Sequence, residues 1–343
     1  VPAPSVDTGD AGDDRGPAHG PGHHRHAWHA RQLVVLGTAA QSPTVRRNQN
    51  GHVVRWGPEL VLFDPGEGTQ RQLVRAGVQV GQLTRICITH AHGDHCLGLA
   101  GVLQRRSLDP SPAPIDIHVP ASMVPVVVAA LASSAWEPDA LEVRVHPTRD
   151  GDEIRLTGDA TLSARSLDHT IDTLGWRLAL PTARHFVPAL LAERGVPERE
   201  TTRLRRDGVW RAPDGTSVRL DDVSVVEPGA AFAFVMDTRP CATAVDLARG
   251  AQLAVFEATY LDTEGEAPLA DAHGHLTARA AATLAREAGV ARLVLAHYSE
   301  RHPDEALVAA EAAAVHADVV AAHDLDVIDP PPWPAASRPT ARP

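Results

Sequence analysis

The 343-residue chain is long enough for one large domain or two, and its 43% hydrophobic content is that of an ordinary globular protein. A formal net charge of -11 gives no global field to attract a polyanion, so a nucleic-acid partner would have to be met by local arginine clusters or bound cations. No apolar run approaches the roughly 20 residues of a membrane helix, and three scattered cysteines (Cys87, Cys96 and Cys241) make no disulfide framework.

Residues 1–30 are dominated by Gly, Pro, Asp and His and lack the apolar content to pack. They are expected to form a disordered tail, with His23, His24, His26 and His29 solvated. They carry no charged-then-apolar secretory pattern, which together with the cysteine usage points to a cytoplasmic protein with no membrane association. Ordered structure is expected from residue 31. Residues 33–36 read as a strand, followed by a polar loop with Arg46, Arg47, Asn48 and Asn50. Strands over 52–55 and 60–64 precede the turn Pro65-Gly66-Glu67-Gly68 and a helix over 69–76. The apolar run Ile86-Cys87-Ile88 then ends abruptly in Thr89-His90-Ala91-His92-Gly93-Asp94-His95. Residues 97–106 read as a helix whose apolar positions are Leu97, Leu99 and Leu103. A strand over 115–119 and a helix over 122–132 follow.

Four short alternating segments between 141 and 180 read as antiparallel strands joined by turns such as Asp150-Gly151-Asp152. The pattern breaks down over 182–222, a stretch too long and polar for a tight turn, where Arg203, Arg205 and Arg206 cluster. Beyond it, strands over 231–236, 253–256 and 293–296 end in Asp237, Glu257 and His297, with helices over 243–247 and 277–288. Residues 330–343 are Pro-rich and are expected to form a loose tail. Two strand-rich halves with helices outside predict an α/β fold: a four-layer α/β/β/α sandwich with candidate ligands at one edge where the sheets meet.

Imidazole and carboxylate are the donors that suit zinc and similar divalent metals. His90 and His92, two apart on an extended segment, point the same way and can hold one ion. Asp94 and His95 come just past a glycine and face a second. Taken singly, His169 reads as a loop histidine and Asp237 as a turn or cap residue. With His297 they bring the candidates to seven, which is what two metals need if one carboxylate bridges them and a water completes each sphere.

The order of these segments resembles the metallo-β-lactamase superfamily and, more narrowly, the ribonuclease Z family. The likeness covers about residues 32–328. Beyond the histidine stretch it is carried by Leu36-Gly37-Thr38, by 63–70 (Phe63-Asp64-Pro65-Gly66-Glu67-Gly68-Thr69-Gln70), by Asp237-Thr238, by Phe256-Glu257-Ala258-Thr259 and by Gly274-His275-Leu276-Thr277. The resemblance implies a catalytic domain over 31–329, with 182–222 as a protruding substrate-binding arm. It implies two zinc ions, although such sites also accept Mn or Fe. His90, His92 and His169 would hold one ion, Asp94, His95 and His297 the other, and Asp237 would bridge. It further implies a homodimer that removes the 3′ trailer from precursor tRNA. Hydroxide generated by the two cations would attack phosphorus, leaving a tRNA 3′-hydroxyl and a 5′-phosphorylated trailer. Asp94 would orient the nucleophile, and His275, backed by Glu257, would protonate the leaving oxygen. Arg203, Arg205, Arg206 and Arg301 would meet phosphates.

Three positions depart from the family pattern. Phe256 stands where the family has histidine, the stretch 195–199 lacks the arm's Gly-Pro pair, and His302 replaces the tyrosine of Ser-x-Arg-Tyr. The alternative is another phosphodiesterase of this superfamily, acting on small or cyclic phosphodiesters without need of an arm. A non-catalytic RNA-binding relative is disfavoured by the complete ligand set.

Overall fold

The computed structural model describes residues 29–109, 112–135 and 140–332. Most of both expected tails, including His23, His24 and His26, lies outside the described residues.

Two seven-stranded mixed sheets form the middle of the molecule. The first runs, in spatial order, Val327–Ile328, Arg31–Gly37, Gly51–Trp56, Glu59–Phe63, Arg85–Cys87, Ile115–Pro120 and Val143–Thr148. The second runs Val319–Ala321, Arg292–Ala296, Leu253–Glu257, Ala230–Val235, Leu174–Leu180, Thr161–Ser166 and Glu153–Arg155. Side chains alternate across each strand, so the central strands of both sheets serve two cores. Leu33, Val35, Trp56 and Phe63 of the first sheet meet Trp176, Leu178, Phe232 and Phe234 of the second in one buried cluster. The intervening positions face outward: Val34, Leu36, Leu60 and Leu62 pack on Leu73, Leu99 and Leu103 of the helices covering the first sheet. Ala233, Val235, Ala254 and Leu293 likewise pack under the helices Ala242–Ala248 and Ala278–Glu287. The second of these starts at Thr277, whose Oγ1 accepts the Ala280 N–H at 3.1 Å, and it buries Ala281, Ala282 and Ala285 against the sheet. These three clusters give the expected four layers.

Some expectations need correction. Val143–Thr148 pairs parallel to Ile115–Pro120 in the first sheet, so Asp150-Gly151-Asp152 carries the chain between sheets and closes no hairpin within one. Alternation is the same for parallel and antiparallel edges, so periodicity did not name the partner. The helix expected over 97–106 is two pieces, Gly93–Cys96 and Leu99–Ser107, and Leu97 between them is 65% exposed. Helices Ala267–His273 and Glu305–Ala313 were not expected.

Where the sequence pattern breaks down, the antiparallel pair Leu174–Leu180 and Ala230–Val235 is followed outward by a two-stranded ribbon, Ala183–Phe186 with Ser224–Glu227. Between the ribbon strands lie the helices Pro188–Glu193 and Thr201–Asp207 and the hairpin Val209–Arg211 with Ser217–Arg219. Val196, Leu204, Val218 and Val223 form a small core there, separate from the three of the sandwich.

Candidate active site

The candidate ligands come from strand ends on one side of the sandwich. Three of the residues there, Asp64 (φ 46°), Asp237 (φ 47°) and His297 (φ 60°), take left-handed backbone conformations although none is glycine. Strain of this kind persists where the surroundings over-determine it, and it turns each side chain off its strand into the gap between the sheets. His92 precedes the short helix Gly93–Cys96, which places Asp94 and His95 one turn on. That helix is pressed against the turn after Phe63: a Cβ at Gly66 would meet the Asp94 carbonyl oxygen at 2.2 Å.

Among the described residues three overlapping groups of donors form, with the ligand atoms in each within 4.8 Å of one another; one of them is Asp237, Glu257, His275 and His297. The sequence candidates fall into the other two, His90, His92, His169 and Asp237 in one and Asp94, His95 and His297 in the other. Asp237 lies between them. Its Oδ2 is 3.6 Å from His90 Nε2, 3.8 Å from His169 Nε2 and 3.4 Å from His95 Nε2, and its Oδ1 is 3.4 Å from His297 Nε2. The structure therefore brings all seven sequence candidates to one place. His95 Nε2 and Asp237 Oδ1 are buried and have no hydrogen-bond partner. Unpartnered polar atoms are costly in a protein interior, and a divalent cation satisfies such a cluster where another side chain would not. The donor set fits a metal centre.

Beside this cluster, His275 Nδ1 lies 3.0 Å from Glu257 Oε2, and Glu257 is fully buried. Burial alone would lower the His275 pKa, but the Glu257 and Asp237 carboxylates outweigh it and push the group up to about 9. His169 Nδ1 donates to the Gly274 carbonyl at 2.7 Å, a contact that needs glycine, because a Cβ there would sit 2.8 Å from that nitrogen. The cavity over these groups holds about 640 Å³ and is lined by His92, Asp94, His275, His297 and Arg301, among others. Arg301 lies 5.8 Å from the Tyr260 ring centre. Arg203, Arg205 and Arg206 line none of this cavity; they are exposed on the helix Thr201–Asp207.

Phe256 belongs to the core under the outer helices, on the opposite strand face from Glu257, so it touches none of the cluster. His302 is buried, its Nε2 2.8 Å from Glu266 Oε2. Arg47 Nη2 donates to the His302 carbonyl at 2.7 Å and pins the loop that carries Arg301. Sequence reasoning assigned no role to the residues behind the ligands: Asn50, Asp64, Thr89 and Thr259. Asp64, Thr89 and Thr259 stood inside the quoted motifs without a role, since hydrogen-bond partners carry no spacing signal of their own.

The layers and the histidine–aspartate cluster at their edge define a metallo-β-lactamase-fold hydrolase, and the family model of the metallo-beta-lactamase superfamily matches residues 44–160. Ribonuclease Z of Kineococcus radiotolerans is 47% identical over 312 residues, covering 88% of this chain and 96% of that one. Ribonuclease Z of Streptomyces coelicolor is 45% identical over 303 residues, covering 88% and 98%. Among solved structures, human tRNase Z, short form, aligns with a TM-score of 0.62 at 26% identity over 88% of this chain and 99% of that chain. The chain belongs to the ribonuclease Z family, metal-dependent endoribonucleases of the metallo-β-lactamase superfamily. Among the described residues no helix is long and apolar enough to cross a membrane.

Proposed function

We propose that the protein removes the 3′ trailer from precursor tRNA in the cytoplasm, leaving a 3′-hydroxyl on the tRNA and a 5′-phosphate on the trailer. The observation that carries this reading is the joining of two donor groups by Asp237, with the Glu257–His275 pair beside them. The names of the relatives and of the human structure supply the substrate. His90, His92 and His169 would hold one zinc and Asp94, His95 and His297 the other, with Asp237 lying between the two groups. Cations held there would supply an acidified water and neutralise charge on the phosphoryl oxygens.

The chain's own groups do the rest. Asp94 accepts the Gln41 N–H at 2.7 Å and is held against His297 Nε2 at 3.3 Å, so its carboxylate is fixed where it orients a nucleophile. His275 gives its Nδ1 proton to the hydrogen bond with Glu257, which leaves Nε2 to protonate the departing 3′ oxygen. Residues 31–329 act as one catalytic domain, with 182–222 as the arm that holds RNA through Arg203, Arg205 and Arg206. Arg301 meets phosphate at the cavity. The active form is a homodimer, in keeping with an arm on one subunit serving the site of the other.

The test is cleavage of a trailer-bearing precursor tRNA by the zinc-loaded protein, with both product ends mapped, repeated with Asp94→Ala. A cut at the trailer junction that the substitution reduces by at least a thousandfold is expected. Cleavage that survives the substitution would refute the ligand assignment, and hydrolysis of small phosphodiesters alone would favour a different substrate.

A further inference from the structure

Behind the ligands lies a carboxylate that serves both donor groups. Asp64 is fully buried. Its Oδ1 accepts the Thr89 backbone N–H at 2.7 Å. Its Oδ2 accepts the Thr89 hydroxyl at 2.8 Å, lies 2.8 Å from His95 Nδ1 and receives the Asn50 amide at 3.3 Å. The orientation of that amide is fixed in turn, because Asn50 Oδ1 is held 2.9 Å from His52 Nε2.

A carboxylate only accepts, so the hydrogen between Asp64 and His95 sits on His95 Nδ1. The Thr89 hydroxyl has one hydrogen and gives it to Asp64. It must therefore accept at its other contact, 2.9 Å from His90 Nδ1, so that hydrogen sits on His90 Nδ1. In each ring, when it carries a single hydrogen, Nε2 is then the bare nitrogen, and in both it is Nε2 that faces Asp237. His90 and His95 belong to different donor groups.

The second half of the chain repeats the device. Glu257 lies 3.0 Å from His275 Nδ1 directly and accepts the Thr259 hydroxyl at 2.5 Å, while Thr259 Oγ1 lies 2.9 Å from His297 Nδ1. Each half thus has one buried carboxylate, one threonine relay and two histidines.

We propose that Asp64, acting directly on His95 and through Thr89 on His90, is a positioning residue that sets the tautomer of one ligand in each group, so that both sites depend on a single carboxylate. The proposal rests on the metal reading above. It predicts an inversion in the isosteric Asp64→Asn. The amide oxygen must keep the Thr89 N–H, so the NH2 takes the place of Oδ2 and donates its two hydrogens to Thr89 Oγ1 and His95 Nδ1, while the Asn50 amide, which loses its acceptor, lies 3.2 Å from the same His95 Nδ1. His95 then accepts at Nδ1 and carries its hydrogen on Nε2. Thr89 accepts from the amide and donates to His90 Nδ1, with the same result there. Each ring then offers Nε2 to a metal only after giving up that hydrogen, which weakens both sites.

Two readouts test this. The first is long-range proton–nitrogen NMR of the metal-free proteins, which reads for each ring which nitrogen carries the hydrogen once only one is left. His90 and His95 should carry hydrogen on Nδ1 in the parent and on Nε2 in Asp64→Asn. An unchanged pattern overturns the proposal whatever the metal reading. The second is zinc titration against a chromophoric chelator. Asp64→Asn should weaken both sites about ten- to a hundredfold, Thr89→Val should weaken only one, and Thr89→Ser should match the parent. Parent-like zinc binding by Asp64→Asn overturns the proposal, as does equal loss at both sites in Thr89→Val, which would mark general loosening. A parent that takes up no zinc overturns the metal reading and this proposal with it.

Discussion

His118 lies in the first sheet, 2% exposed, where Arg85 Nη1 approaches its Nε2 at 3.2 Å and its Nδ1 has no hydrogen-bond partner. Burial, and then the charges of His146 and Arg85, push it down to about 3. The sign follows directly: the folded value lies below the unfolded one of about 6.5, so the folded state prefers the neutral ring. The stability is fully present above about pH 6.5 and is lost as pH falls toward 3. Urea unfolding of the metal-free protein between pH 6 and 4 should show His118→Gln shallower by about 1.4 kcal/mol per pH unit, and an unchanged slope would remove His118 as the cause. At Phe256 the departure from the family pattern proves to concern packing. Its ring lies among the alanines under the outer helices, away from the donors. Phe256→His should therefore leave kcat/KM within about twofold and lower stability by about 1–3 kcal/mol, the cost of an unpaired buried polar group. A gain in activity would show that the ring reaches the site. Four ligands were legible because three histidines and an aspartate fall within six residues after an apolar run; His169, Asp237 and His297 became legible only as a set beside them and through the resemblance. Asp64 and Thr89 gave no such signal, because what they do depends on the fold bringing residues 64, 89 and 95 together.

The arm is the element whose sequence said least and whose structure says most. Its residues break every periodicity because its helices and hairpin are too short to show one. Pro188–Glu193 has six residues and Val209–Arg211 three. Its core of four buried side chains has Leu204 fully buried at the centre. Leu204→Ala would cost about 2–5 kcal/mol, enough to loosen so small a module while the sandwich cores stay intact. Limited proteolysis should then cut within 183–227. KM for precursor tRNA should rise at least tenfold, and turnover of a small chromogenic phosphodiester should stay at the parent level. Parent-like KM on a nicked arm would show that the arm does not hold RNA. Strands read more faithfully than their neighbours in the sheet. The tips bearing Asp237, Glu257 and His297 follow uniform apolar runs, but the parallel pairing of Val143–Thr148 depends on a partner far back in the chain.

At the scale of the whole molecule, the site is a seam. His90, His92, Asp94 and His95 follow a strand of the first sheet, whereas His169, Asp237 and His297 belong to the second. An acidic chain gathers two carboxylates there beside five imidazoles, with His95 Nε2 and Asp237 Oδ1 unpartnered in the interior. Cations bound at the seam would join the halves, and their binding free energy would add to folding free energy, because the unfolded chain has no preformed site. Free zinc at a hundred times its Kd contributes about 2.7 kcal/mol per site, which for a chain of this size is a Tm shift of at least about 3 °C. Treatment with a chelator should lower Tm by that much. Hydrogen exchange should rise in the segments 89–96, 167–170, 237–239 and 297–299, which meet across the seam, while the helices Leu99–Ser107 and Ala278–Glu287 keep their protection. Readdition of zinc should restore both. If chelation leaves Tm and exchange as they were, the cluster is held by its own hydrogen bonds, and the two sheets meet there without help from a metal.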